Sequence, residues 1–180
     1  MIQELWGQIL GIAATLVVTL GYQANTKKGL LMIQTPGVVV LCVSYLLLGA
    51  ISGFALNIAC VLRNVCCIFI KEKSKGYYVM TGVLMCLLGA LGFLSWEGYI
   101  SLLLIVALIA NTFFVALGKP QILRYSLIIT SSMCLVYNIL LPIPSIGGIL
   151  LESITIVSAV VGILRFWRNK KKQVAINAVL

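Results

Sequence analysis

Residues 41–75 read LCVSYLLLGAISGFALNIACVLRNVCCIFIKEKSK. Two apolar runs, 35–51 and 54–70, meet at the short turn Ser52-Gly53, and the second closes on Lys71, Lys73 and Lys75. A helix rising about 1.5 Å per residue needs about 17 to 25 apolar residues to cross a hydrocarbon core of about 30 Å. Both runs meet that length. Neither alternates polar with apolar residues as the strands of a membrane barrel do, so helices are expected. The turn on one side carries no Lys or Arg while the connection on the other carries three lysines. That asymmetry orients spans, because basic short loops stay on the cytoplasmic face.

Working outward, the same reading places further spans near residues 5–22, 77–95, 98–117, 123–141 and 148–167. Lys27 and Lys28 follow the first span, and Lys119 and Arg124 flank the link between the fifth and the sixth. Arg165, Arg168, Lys170, Lys171 and Lys172 follow the seventh, whereas Trp96-Glu97 and Pro142 to Gly147 contain no Lys or Arg. Charge therefore alternates through seven crossings, which predicts an external N-terminus and a cytoplasmic basic C-terminus. Trp6 and Trp96 fall at outer ends and Tyr22, Tyr77, Tyr78 and Trp167 at inner ends, where amphipathic rings meet headgroups. The second span is expected to start at Thr35-Pro36, a hydroxyl cap followed by proline in the first turn, with Gly29 to Gln34 along the interface. Met1 to Gly7 carry Glu4 and no positive charge, so the first span is expected to be retained rather than cleaved.

Composition agrees with lipid as the solvent: 62% of the residues are hydrophobic and 9% charged, too little polar surface for a water-soluble domain. The net charge of +9 does not point to nucleic acid, since twelve of the thirteen Lys and Arg residues lie in short connections or the tail. Cys42, Cys60, Cys66, Cys67, Cys86 and Cys134 all fall in apolar segments, there is no histidine, and no zinc-type ligand pair appears. They read as small packing residues, and neither a metal nor another cofactor is expected. Without histidine or aspartate the usual acid–base constellations have too few members, so the chain is not expected to be an enzyme. No ring of like charge or filter-like loop suggests a channel unless an oligomer supplies one.

A faint repeat organises the spans. Ser52-Gly53 and the Gly147-Gly148 region each precede a span with a polar residue near its start, Asn57 in one and Glu152 in the other. Leu20-Gly21 pairs with Leu117-Gly118 and Lys27 with Arg124 at the ends of the first and fifth spans. The expected fold is all-α and integral to the membrane. It has seven transmembrane helices arranged 3+1+3: a first triplet over 5–70, a linker helix over 77–95, a second triplet over 98–167 and a basic tail over 168–180. An odd helix between the triplets makes them parallel, related by a pseudo-twofold axis along the membrane normal. This plan resembles the SWEET and PQ-loop transporters, whose substrate passes between the triplets. Those proteins carry a Pro-Gln pair in the first helix of each triplet, whereas this chain has Gly21-Tyr22-Gln23 there and Pro120-Gln121 in the loop after helix five.

A second resemblance lies in Tyr137-Asn138, Ser145-Ile146-Gly147-Gly148, Glu152 and Leu164-Arg165-Phe166-Trp167-Arg168, together with Asn57 and Arg63 after the Leu48-Gly49 turn. These residues are similar to the bacterial YgjV inner-membrane protein family, which implies a multi-pass protein of the bacterial inner membrane. Members of that family often have histidine where this chain has Ser44 and Tyr137, so a proton-linked role at those two positions is not carried over.

Charge within a bilayer costs roughly 2.5 to 3.5 kcal/mol at a helix centre, so the intramembrane Arg63 and Glu152 need an explanation. Helical spacing puts Asn57 and Asn64 on one face of the third span and Glu152 and Thr155 on one face of the seventh. Tyr137, Asn138, Ser44, Asn111, Thr15, Thr19 and Gln23 add polar groups. The expected substrate site is Asn57, Arg63, Asn64, Tyr137, Asn138, Glu152 and Thr155, with Arg63 an anion contact and Glu152 a cation or proton contact. The competing reading is a structural ion pair between Arg63 and Glu152, set roughly 10 Å apart along the normal, with asparagines cross-linking helices. Thr15 and Thr19 read as hydroxyls satisfied by their own helix. Gly7 with Gly11, and Gly82 with Gly89, read as packing faces. The leading function is transport of a small polar solute. The alternative is a non-transporting module that binds a protein partner or anionic lipid through its basic tail. The expected partners are the lipid bilayer and a small polar solute, with a homo-oligomer allowed and no nucleic acid.

Overall fold

The computed structural model describes residues 2–21, 27–70, 74–117 and 120–177, and all regular structure in them is helical. The helices are α1 (Ile2–Gly21), α2 (Lys27–Leu47), α3 (Ile51–Phe69), α4 (Lys75–Leu94), α5 (Tyr99–Leu117), α6 (Pro120–Leu140) and α7 (Ile146–Asn177). By length and composition α1, α3, α4, α5 and the Ile146–Arg168 part of α7 are able to cross a membrane, and α2 contributes the apolar segment Leu31–Leu47. Most of the small polar side chains of α6 are turned inward: Ser126, Thr130, Ser131 and Asn138 are buried, while Ser132 is exposed along with Ile129, Val136 and Ile139. Leu16, Val79, Val83, Leu102 and Val157 likewise present apolar surface outward. Only a lipid solvent makes such a distribution favourable.

Six helices close a ring. α1 packs on α2, α2 on α3, α3 on α5, α5 on α6, α6 on α7 and α7 back on α1, while α4 sits outside against α3 and α5. In this order α3 faces α7 across the ring, and α2 faces α6. The α1–α2 contact is close because Gly37 lies against Val18 and the Ala14 carbonyl, where a Cβ would come within 2.6 Å of the valine. The α1–α7 crossing is closer still. Gly147 lies directly on the backbone of Gly11, and the Thr15 hydroxyl donates to the Gly147 carbonyl at 2.7 Å. Gly7 and Gly11 thus form the expected packing face, Gly7 against Leu47 and Leu48 and Gly11 against Ser44 and Gly147. Gly82 and Gly89 do not: a Cβ on either meets nothing within 4 Å, and the close glycine of α4 is Gly92, against Ile105.

The short turns gather at one end, here called the short-turn end. Both carboxylate oxygens of Glu97, in the α4–α5 turn, accept from the first amides of α3, Ile51 at 2.8 Å and Ser52 at 2.9 Å. Gln8 of α1 accepts from the Ile146 amide at 3.0 Å and donates to the Pro144 carbonyl at 2.7 Å. Ser44 of α2 donates to the Gly7 carbonyl at 2.7 Å, which brings the start of α1 beside the end of α2. Two of these turns need glycine in the left-handed region, Gly49 with φ 75° and Gly98 with φ 112°. Lys28, Lys75, Arg124, Arg165 and Arg168 lie at the opposite, basic end of their helices. Tyr22, Gln23, Lys71, Lys73 and Lys119 lie outside the described residues.

Two boundaries differ from expectation. α2 starts at Lys27, so Pro36 lies inside the helix rather than at its first turn, and Thr35 does not cap it. The Thr35 hydroxyl instead donates to the Leu31 carbonyl at 2.6 Å. Proline is tolerated inside a membrane helix where neighbouring packing holds the segment, and Gly37 against α1 supplies that packing. α7 continues to Asn177, giving 32 residues and a length of about 48 Å, well past the hydrocarbon core.

Candidate functional site

The ring interior carries two polar layers. In the layer nearer the short turns, Tyr45 of α2 reaches across to α6 and donates its hydroxyl to Asn138 Oδ1 at 2.7 Å. The Asn138 amide nitrogen donates to the Cys134 carbonyl at 2.8 Å, so Asn138 is held by its own helix and by the facing one. Both side chains are buried, Tyr45 at 3% exposure and Asn138 at 1%. Glycines make room for them. A Cβ on Gly53 would lie 2.8 Å from the Tyr45 ring, and a Cβ on Gly148 would collide with the Asn138 amide. Tyr137, also 1% exposed, rests its hydroxyl over Gly53 without a well-formed hydrogen bond.

Glu152 lies six residues into α7, about 9 Å from the start of that helix. The hydroxyl beside its carboxylate is that of Ser131 on α6. Glu152 shares a face of α7 with Gly148, which packs on the Asn138 amide, and with buried Thr155, which places it toward the ring interior rather than lipid. The neighbouring thiols Cys60 and Cys134 are buried and free.

The second layer lies deeper. Arg63 is twelve residues into α3, about 18 Å from the same end. Its Nε and Nη2 donate to Asn64 Oδ1 at 3.3 and 3.1 Å, and its Nη1 donates to the Thr112 hydroxyl of α5 at 3.3 Å. Arg63 is half-buried and Asn64 is 3% exposed. The ion pair with Glu152 that matched helices would allow is not formed. The two residues stand on helices that face each other across the ring, and each is turned to a neutral partner on an adjacent helix.

The remaining residues expected at the site divide. Asn57 is half-buried and donates to the Gly53 carbonyl one turn back at 2.8 Å. Thr155 is buried and donates to the Leu151 carbonyl at 2.9 Å. Tyr137, Asn138 and Glu152 belong to the upper layer, and Arg63 and Asn64 to the lower one. Ser44 serves the α1–α2 contact, and Thr19 donates to the Leu16 carbonyl of its own helix at 2.9 Å. Thr15 does the same to Gly11 at 2.9 Å and also bridges to α7. Asn111 leaves its buried Oδ1 without a partner. Among the described residues no group of three or more Cys, Asp or Glu side chains is placed to hold a metal ion.

Sequence reasoning missed Tyr45, Ser131, Gln8 and the capping role of Glu97. Ala50, at the N-cap of α3, has no side chain able to cap it, and Glu97 supplies that function from another turn. Behind it, the Ser52 hydroxyl bonds the Ser95 carbonyl and lies 2.9 Å from the Ser101 hydroxyl, tying α3 to the start of α5. The aromatic belt at this end is Phe93, Trp96 and Tyr99, with successive ring centroids 6.3 and 6.4 Å apart.

No curated protein and no solved structure matches the chain. A family model described as bacterial inner membrane protein, Imp-YgjV, matches residues 5–170, which reaches from α1 into α7 and takes in both polar layers. With a helical ring whose outward face is apolar and a match over nearly its whole length, the chain belongs to the YgjV family of bacterial inner membrane proteins.

Proposed function

We propose that this protein carries a small polar solute across the bacterial inner membrane. The solute binds inside the ring between two triplets, α1–α3 and α5–α7, joined by α4. The observation that carries the reading is Glu152, a carboxylate at membrane depth on the face of α7 that it shares with Gly148, packed on Asn138, and with buried Thr155, and beside which Ser131 stands. Intramembrane carboxylates of this kind mark substrate or ion pathways, because an uncompensated charge there is costly. The order of packing supports the two-triplet plan. Exchanging α1, α2 and α3 with α5, α6 and α7 turns the α3–α5 contact into the α7–α1 contact and leaves the ring unchanged. Motion of one triplet against the other about a midplane site would then expose it alternately to the two faces. The charge pattern supports an external short-turn end and a cytoplasmic basic end.

The test is counterflow in proteoliposomes with the purified chain. Solute exchange that Glu152→Ala and Asn57→Ala reduce, in variants that elute as the parent does, is the expected result. No exchange across a broad panel, with both variants altering stability alone, would overturn the proposal.

The long α7 favours a second reading. It stays helical to Asn177 beyond the span ending at Arg168. A basic helix projecting there suits a partner protein or anionic lipid. Stoichiometric capture of one partner, lost when Arg168 to Lys172 are neutralised, would favour that module over transport.

A further inference from the structure

The two intramembrane charges are separated, opposite in sign and each held by neutral groups. Glu152 projects from α7 and Arg63 from α3, the helices that face each other across the ring. Their backbone positions differ by about 9 Å along the helix axes, and Cys60, one turn before Arg63 on α3, is buried at a depth between them. The bonds that Arg63 makes, 3.1 to 3.3 Å to an amide oxygen and a hydroxyl, are at the long end of the range. A carboxylate is a stronger acceptor, reached at about 2.7 to 2.9 Å and able to take two donors at once. Glu152 likewise stands beside a hydroxyl, that of Ser131, where an ammonium would satisfy its charge.

These observations separate solute classes. A neutral polyol placed between the two groups leaves both charges uncompensated in a low-dielectric interior. A simple cation satisfies Glu152 and adds to the charge of Arg63, and a simple anion does the reverse. A solute with an ammonium at one end and a carboxylate at the other neutralises both and enters with no net charge of its own, which keeps the desolvation cost low. Resting on the transport reading above, we infer that the solute is zwitterionic, a small amino acid, with its ammonium on Glu152 and Ser131 and its carboxylate on Arg63.

Counterflow with the purified full-length chain in liposomes tests this, using radiolabelled alanine and γ-aminobutyrate as zwitterions, choline as cation, lactate as anion and xylose as neutral solute. Exchange of at least one zwitterion, with choline, lactate and xylose at the level of empty liposomes, is expected. Glu152→Gln and Arg63→Gln should each lower that exchange tenfold or more, and Arg63→Lys should retain part of it. The selectivity of the parent chain is informative even if a variant fails to fold. Exchange of xylose, choline or lactate without either zwitterion would overturn the inference and leave transport standing. Zwitterion exchange that Arg63→Gln does not reduce would also overturn the inference. Exchange of nothing in the panel would count against both.

Discussion

Gly147→Ala is the most informative single perturbation of the ring. The added methyl would meet the backbone of Gly11, which cannot rotate away as a side-chain tip would, so α1 and α7 must separate. Overpacking of this kind costs about 1 to 3 kcal/mol. Separation also stretches the 2.7 Å bond from Thr15 to the Gly147 carbonyl, and an interhelical bond in a membrane contributes about 0.6 kcal/mol. The total is about 2 to 4 kcal/mol, which for a chain of this size lowers the unfolding temperature by roughly 4 to 15 °C. Gly82→Ala is the matched control, since its methyl meets nothing within 4 Å and sits in an exposed helix position. Thermal unfolding of both variants in one detergent, followed by size-exclusion fluorescence, reads the difference. Gly147→Ala unfolding at the same temperature as Gly82→Ala would refute the close α1–α7 crossing and with it the closure of the ring.

Three further outcomes follow from the geometry. Tyr45→Phe removes the donor from Asn138 Oδ1 in a buried site, which should destabilise the fold by about 1 to 3 kcal/mol in an unfolding titration. Glu97→Ala leaves two amides at the start of α3 without acceptors and should cost about 1 to 2 kcal/mol, with Glu97→Gln recovering part of the loss in the same assay. Thiol labelling of the detergent-solubilised protein, read by mass spectrometry, should modify exposed Cys86 well before buried Cys42, Cys60 and Cys134.

The helical, membrane-embedded character was readable because apolar run length and the sorting of Lys and Arg are properties of the linear chain. The start of α2 was not. Thr35-Pro36 has the local chemistry of a helix start, and only the packing of Gly37 on Val18 and Ala14 indicates why the helix runs through it. Similarly, Gly82 and Gly89 share spacing with Gly7 and Gly11, but spacing does not say which face meets another helix. Of the site, Asn138, Glu152 and Arg63 could be singled out because polar groups within apolar runs stand out singly. Tyr45 could not, since a tyrosine in an apolar run reads as packing until its partner 93 residues away is known. The same holds for Glu97, whose value lies in the two amides of α3 that it meets in space.

The sidedness of the two ends carries the whole arrangement, and single-cysteine labelling in intact cells measures it directly. In a chain otherwise free of cysteine, Trp96→Cys and Pro144→Cys should react with a membrane-impermeant maleimide added outside. Lys28→Cys and Arg168→Cys should react only after the cells are opened. Labelling of Trp96→Cys and Arg168→Cys from the same compartment would contradict three crossings by α5, α6 and α7, and the paired triplets and the path between them would fall with it.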